Sequence, residues 1–129
     1  MNKDWERVKE FHRVFNHPIG NEPQILSLER AQKRYRWIKE EIEEFLAASE
    51  KGDIVEQADA MIDTIYYALG TLVEMGIQPD PIFDVVQEAN MKKIWSDGLP
   101  HYDEDGKAIK PPEWKNPHDY IEEVIMRMR

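Results

Sequence analysis

The 129-residue chain contains no cysteine, so it can form neither a disulfide nor a thiolate metal site. It also has no apolar run near the roughly 20 residues that a membrane-spanning helix requires. The polar N-terminus lacks the apolar segment of a signal peptide. Together these absences predict a cytoplasmic protein without a membrane partner.

Positive charge is scarce as well. The 17 Lys and Arg residues are outnumbered by 26 Asp and Glu residues, which gives a net charge of −9. No run of Lys and Arg could follow a phosphate backbone, so we expect no nucleic-acid partner. Acidic clusters would accept a phosphorylated ligand only with cations in between, which links any phosphate chemistry to a metal.

The composition, 41% hydrophobic and 33% charged, is that of a globular protein, and the length fits a single domain over residues 1–129. Apolar residues recur at spacings of three and four, which predicts five α-helices. Their expected ranges are about 4–15, 28–49, 54–75, 81–95 and 117–128. Short connections between the first four helices predict an all-α protein, an antiparallel four-helix bundle, with an extra C-terminal helix after a long loop.

Two acidic clusters lie on the second and third predicted helices. Glu40, Glu41 and Glu44 project within an arc of about 100°, at about 100° per residue. Glu56, Asp59 and Asp63 follow the spacing i, i+3, i+7 and fall within about 60°. If the two helices pack side by side, these faces could form a cage of oxygen ligands, which selects Mg²⁺ or Mn²⁺ over zinc.

Other interpretations of these acids stay open. The glutamates of the second helix could simply be solvated. Glu56 follows Asp53 by three residues and could be the acidic half of a helix-capping box. Asp59 and Asp63 are harder to explain in this way, because the segment around them is apolar and a buried carboxylate needs a positive partner. A non-catalytic helical adaptor is the alternative function, whereas a di-iron bundle would need Glu-x-x-His motifs that the chain lacks.

The pattern Glu40-Glu41-x-x-Glu44, followed by Glu56-x-x-Asp59, resembles the signature of the all-α nucleotide pyrophosphohydrolases. These comprise the MazG-like proteins, phosphoribosyl-ATP pyrophosphohydrolase and the dimeric dUTPases. The wider resemblance covers roughly residues 10 to 115 and is closer still to a Cof-like branch of the MazG-like proteins.

That resemblance implies a Mg²⁺-dependent enzyme that cleaves a nucleoside triphosphate between the α and β phosphates and releases pyrophosphate. In such an enzyme Glu40 or Glu41 would orient or deprotonate the attacking water, while the acids of both helices hold the metal. A homodimer or homotetramer is implied too. The substrate stays open, with phosphoribosyl-ATP, dUTP and dCTP as alternatives.

The register of the second motif is ambiguous. In many relatives the motif's aspartate directly precedes an apolar stretch, and Asp63 occupies that place here. The partner position three residues earlier is then Ala60 instead of glutamate. By spacing alone, Glu56 and Asp59 are the motif. We favour Asp63 and Asp59 as metal ligands ahead of Glu56, since all three share one helix face.

Four further residues are candidates for substrate contacts. Asn90, Lys92 and Lys93 match positions at which the family holds phosphates, although a solvated helix end would look similar. Trp37 lies one turn before Glu41 and could stack on a base or pack against a partner subunit. A satisfied core histidine is the expectation for His12.

Overall fold

The structure, a computed structural model, describes residues 1–129 and is all-helical. Its helices are α1 (Asn2–Val14), α2 (Leu28–Lys51), α3 (Ile54–Met75), α4 (Pro79–Met91) and α5 (His118–Arg127). One isolated antiparallel bridge joins Tyr102 to Ala108. The predicted all-α class is confirmed, with α4 ending four residues earlier than expected.

The helices are distributed over two compact units, Met1–Pro79 and Asp80–Arg129. The first unit contains α1, α2 and α3, whereas the second contains nearly all of α4, the long loop and α5. None of the five helices is both long enough and apolar enough to cross a membrane. A single domain over the whole chain stays a prediction.

Within the first unit, α2 and α3 form an antiparallel hairpin around a two-residue turn. Gly52 ends α2 with φ at 70°, a left-handed conformation that a side chain would strain. Asp53 then caps α3, because its Oδ1 accepts a hydrogen bond of 3.0 Å from the backbone N–H of Glu56. The tight turn and both caps place the acidic faces of the two helices on adjoining elements.

The apolar core of this unit is small. Trp5 and Val8 of α1 pack with Leu69 and Val73 of α3, and Ile19 and Leu72 border them. Several apolar residues that recur at helical spacing on α2 and α3 are nevertheless exposed, among them Tyr35 at 61% and Ile62 at 61%. Because α1 packs on the later turns of α3, the rest of the hairpin's apolar surface stays uncovered within the unit.

In the second unit, Trp114 links the loop to α4 by donating a hydrogen bond of 2.7 Å from Nε1 to the carbonyl of Ala89. Earlier in the loop, Asp103 Oδ1 accepts hydrogen bonds from the N–H groups of Asp105 and Lys107, which closes a tight turn. No residue of α5 is buried. Its apolar side, Ile121, Val124 and Ile125, is half-buried, so the helix packs on the unit only partly.

Candidate active site

The α2–α3 hairpin places four predicted ligands within electrostatic reach of one another. The pKa of Glu41 is raised to about 7, mainly by burial and next by the adjacent Glu44, with Asp63 and Asp59 adding to the effect. We call Glu41, Glu44, Asp59 and Asp63 the carboxylate cluster. Its members come from both helices, so the structure joins the two acidic motifs.

Asp63, on the other helix, is subject to the same electrostatic environment. Its pKa is raised by burial and then by the negative charges of Asp59 and Glu44. Every charge that acts on Asp63 or Glu41 is negative. Glu41 and Asp63 are half-buried, whereas Glu44 and Asp59 are exposed, contrary to the expectation of a buried site for Asp59. The two half-buried carboxylates therefore lack the counter-charge that normally accompanies such groups.

The chemistry of the cluster suits a divalent cation. Its donors are all carboxylate oxygens, and Oε2 of Glu41 is buried without a hydrogen-bond partner. As the side chains lie, no three acidic or histidine residues converge closely enough to hold a metal ion. The residues fit such an ion in type and charge, and binding it would require their side chains to rotate.

Glu40 and Glu56 lie outside this cluster. Glu40 is exposed, although its charge still contributes to the raised pKa of Tyr67. Glu56 has a counter-charge of its own, since its Oε2 lies 3.6 Å from Nζ of Lys51. Its backbone N–H donates to Asp53, as the capping interpretation predicted, but its carboxylate pairs with the lysine instead of closing a reciprocal box.

Trp37 packs against its own chain. The guanidinium carbons of Arg30 and Arg34 each lie 5.3 Å from the centroid of its indole ring, and the ring of Tyr67 lies 6.1 Å away. Tyr67 in turn has a raised pKa, first through burial and then through the charge of Glu41. Both aromatic residues therefore belong to the border between the carboxylate cluster and two arginines.

Those arginines belong to a buried ion network that sequence reasoning missed. Arg30 donates two hydrogen bonds to the carboxylate of Glu74, from Nε to Oε1 at 2.8 Å and from Nη2 to Oε2 at 2.9 Å. Arg34 adds a contact of 3.2 Å from Nη1 to Oε2 of the same glutamate. The network ties the first turns of α2 to the end of α3, which fixes the register of the hairpin that carries the cluster.

A signal for this network was present in the sequence. Glu74 is the one charged residue in the run Leu72-Val73-Glu74-Met75, and Arg30 and Arg34 are spaced one turn apart on the preceding helix. The rule that a buried carboxylate needs a positive partner applies to Glu74 as it does to the aspartates. Here, however, arginine supplies that charge.

Gly70 and His12 complete the surroundings of Arg34. A Cβ atom at position 70 would clash with Nη2 of Arg34 and lie 2.9 Å from Nε2 of His12. His12 is buried, and its Nδ1 donates a hydrogen bond of 2.8 Å to the carbonyl of Pro18. Its expected role as a satisfied core histidine is confirmed, and burial lowers its pKa.

The predicted phosphate contacts lie at the end of α4, in the second unit. Asn90 is exposed, and Lys92 lies 3.4 Å from Glu88 on the same helix. Nζ of Lys93 lies 5.5 Å from the ring centroid of Trp114. Their contact with a nucleotide stays a prediction.

The sequence matches the family model of phosphoribosyl-ATP pyrophosphohydrolase over residues 8–90, a range that includes the whole carboxylate cluster. The chain belongs to this family. Its membership confirms the predicted MazG-like superfamily, and with it the class of enzyme, a hydrolase acting on phosphoric anhydride bonds.

A crystal structure supports the same assignment. A candidate NTP pyrophosphohydrolase from Exiguobacterium sp. 255-15 is 31% identical in sequence and superimposes with a TM-score of 0.53. The similarity covers 96% of this chain and 94% of the other. No curated protein sequence matches the chain. The similarity to the solved structure covers more of the chain than the family match over residues 8–90.

Proposed function

We propose that the protein hydrolyses a nucleoside triphosphate between the α and β phosphates and releases a nucleoside monophosphate and pyrophosphate, with Mg²⁺ or Mn²⁺ as cofactor. The observation that carries this proposal is the buried, unpartnered oxygen of Glu41 among carboxylates from the facing helix. Family membership supports the class of reaction. The cluster would hold the cation, because its donors are all carboxylate oxygens.

Glu41, Glu44, Asp59 and Asp63 would hold the cation, and Glu56 stands at the edge of this set because Lys51 already pairs with it. When bound, the ion neutralises negative charge on the phosphates and lowers the pKa of water. The protein's own contribution is to bring carboxylates from two helices to one place, with Glu41 and Asp63 half-buried.

Glu40 or Glu41 would orient the attacking water and accept its proton. Glu40, more exposed, could take this role while Glu41 serves the metal. Exchanging each for glutamine separates the two roles, because only the base should change the pH profile of kcat.

Further contacts are proposed for the substrate. Asn90, Lys92 and Lys93 would bind phosphate oxygens, and Trp37 is the sequence candidate for stacking on the base. The family match favours phosphoribosyl-ATP as an alternative substrate, with dUTP and dCTP as pyrimidine alternatives on the same fold. All of these substrates present the same pair of anhydride-linked phosphates to the cluster.

We also propose that the protein works as a homodimer or homotetramer. The hairpin exposes an apolar face, which we define as Ile42 and Leu46 of α2 with Ile62, Ile65 and Tyr66 of α3. Exposed apolar side chains in this number favour an interface with another chain. A second copy laid on this face would cover it.

Pyrophosphate release tests the activity. We expect turnover of at least one nucleoside triphosphate, or of phosphoribosyl-ATP, only when Mg²⁺ or Mn²⁺ is present. Changing Glu41→Gln or Asp63→Asn should reduce kcat at least about a hundredfold, in the range that lost metal or acid–base catalysis gives. The matched control is Glu43→Gln, an exposed acid on the same helix that points away. Unchanged turnover in both cluster variants would refute the assignment.

Light scattering after gel filtration tests the assembly. A mass near 15.3 kDa, that of one chain, would contradict the proposal. In an oligomer, Leu46→Glu should lower the mass because it introduces a charge into the apolar face. Val14→Glu is the control, since Val14 is equally exposed but lies on α1, outside that face.

A further inference from the structure

Two polar contacts join α2 to α3, and the carboxylate cluster lies between them along both helices. Toward the turn of the hairpin, Nε2 of Gln57 donates a hydrogen bond of 2.9 Å to Oγ of Ser49. Toward the other end, Arg34 of α2 pairs with Glu74 of α3. Contacts that set the position of one helix against the other at these two ends also set the position of the acids between them.

The Arg34 contact restrains α3 at three points. Nη1 lies 3.2 Å from Oε2 of Glu74, Nε donates a hydrogen bond of 3.1 Å to Oγ1 of Thr71, and Nη2 donates one of 2.9 Å to the carbonyl of Tyr67. These three acceptors follow one another along α3. Because the guanidinium is rigid and planar, meeting all three fixes both the rotation and the axial position of α3 relative to Arg34.

The same helix faces carry this contact and the two half-buried acids of the cluster. Glu41 follows Arg34 by seven residues on α2, and Glu74 follows Asp63 by eleven on α3. At about 100° per residue, each pair lies within about 20° on its own helix. A rotation of either helix that broke the contact between Arg34 and Glu74 would therefore also move Glu41 or Asp63.

The ion pair is poorly suited to stabilise the fold by its charges. Burial lowers the pKa of Arg34, and this effect exceeds the opposite effect of the Glu74 charge. A buried ion pair in which desolvation offsets attraction can be replaced by apolar residues of similar volume with little loss of stability. Apolar packing does not align the two helices on their outer face either, since Ile42, Ile62 and Ile65 are exposed.

We propose that Arg34 and Glu74 are positioning residues. Together they hold Glu41 and Asp63 at the separation that a divalent cation requires, and as a pair they contribute little to the stability of the fold. This inference rests on the proposed function, because it assigns the contact to the metal site.

Replacement of both partners separates the two roles, because the combined variant Arg34→Met, Glu74→Leu leaves no buried charge unpaired. Thr71 and Tyr67 keep a partner in it, since Oγ1 of Thr71 donates to the carbonyl of Tyr67 at 2.8 Å. We expect its midpoint of urea unfolding to equal or exceed that of the unmodified protein. Its affinity for Mn²⁺, titrated by electron paramagnetic resonance, should be at least about tenfold weaker, as is usual when a residue that orients ligands is lost.

Spin labels measure the geometry of the hairpin without metal. The chain contains no cysteine, so Glu43→Cys and Ala58→Cys, both at exposed positions, provide the only attachment sites. We expect the distance distribution between the two labels to shift or broaden when Arg34 and Glu74 are both replaced.

Val8→Ala is the control for stability. Val8 is a buried α1 residue that packs in the apolar core with Leu69 and Val73, so the variant should lower the midpoint of urea unfolding. Its Mn²⁺ affinity and label distances should nevertheless match those of the unmodified protein, because the contact between Arg34 and Glu74 is intact.

Two results would overturn the proposal. The first is a double replacement that leaves Mn²⁺ affinity and label distances unchanged. The second is a double replacement that lowers the midpoint of unfolding as much as Val8→Ala does, because the pair would then serve stability.

The positioning role and the proposed function fail in different ways. Absence of pyrophosphate release by the unmodified protein contradicts the activity alone, provided that it binds Mn²⁺ and that the double replacement weakens this binding. Normal pyrophosphate release and Mn²⁺ binding in the double replacement contradict the positioning role alone. Failure of the unmodified protein to bind Mn²⁺ contradicts both, because no metal site would then need positioning.

Discussion

Nη1 of Arg34 lies 3.2 Å from Oε2 of Glu74, and the two side chains are only 3% and 1% exposed. This ion pair joins α2 to α3 inside the first unit. Arg34 also donates from Nε to Thr71 Oγ1 and from Nη2 to the carbonyl of Tyr67, so most of its donors are satisfied. The contact holds in register the hairpin on which the carboxylate cluster depends.

Removing one partner of this ion pair should destabilise the folded state. We expect Glu74→Gln to lower the free energy of unfolding by about 3–5 kcal/mol, because it leaves a buried guanidinium with no opposite charge. Urea unfolding followed by circular dichroism measures the change. Lys33→Met is the control, since Lys33 and its partner Glu29 are exposed and such pairs contribute about 0–1 kcal/mol. Equal effects in the two variants would contradict the role assigned to the network.

The acidic motifs were predictable from the sequence because helical spacing alone decides which residues share a face. The spacing could not show that Glu41 and Asp63 come close while Glu56 pairs with Lys51, because that depends on how two helices pack. Glu74 was overlooked for a related reason. Its partners are 40 or more residues away in the chain, a separation over which no periodicity carries information.

The fold shows the same division between local and long-range information. The bounds of α3 were predicted to the residue, because Asp53 and Gly76 cap it with local signals. Burial was predicted less well. Ile62 is apolar and lies at a position typical of a core stripe, yet it is exposed in the single chain. Sequence periodicity identifies an apolar face but not which surface covers it.

The carboxylate cluster should make stability depend on pH. Folding raises the pKa of Glu41 from 4.5 to about 7, so the folded state binds a proton more tightly than the unfolded state. The stability contributed in this way is present below pH 4.5 and is lost as the pH rises towards 7. We expect Glu41→Gln to raise the free energy of unfolding at pH 8 by about 1 kcal/mol, and to have little effect at pH 5.

If the cluster binds Mg²⁺, adding the ion should reverse the difference in stability between the wild-type chain and Glu41→Gln at pH 8. At pH 8, adding Mg²⁺ should stabilise the wild-type chain by mass action, because the ion binds only the folded cluster. Glu41→Gln should respond less, since it has lost one ligand and one charge. Denaturant titrations of both proteins, with and without Mg²⁺, measure the effect. An identical response of the two proteins would argue against Glu41 as a ligand.

His12 should make the free energy of unfolding depend on pH in the opposite direction. Its pKa is lowered by burial, so the unfolded state binds a proton more readily than the folded state. Stability from this group is present above pH 6.5 and is lost as the pH falls below that value. We expect the His12→Asn variant to lose less stability as the pH falls, because asparagine does not titrate. Its side-chain amide can still donate a hydrogen bond to the carbonyl of Pro18. Unfolding curves at pH 7.5 and 5.5, with His118→Asn as an exposed control, would reveal it.

The absence of a side chain at Gly70 should matter chiefly through Arg34. An added methyl group at this position clashes with the guanidinium, so Gly70→Ala should destabilise the protein by about 1–3 kcal/mol, although alanine favours a helix elsewhere. In an Arg34→Met background the clash with the guanidinium disappears, and the same substitution should cost less. A double-mutant cycle in urea measures this coupling, and strict additivity of the two changes would show that Gly70 serves something other than the arginine.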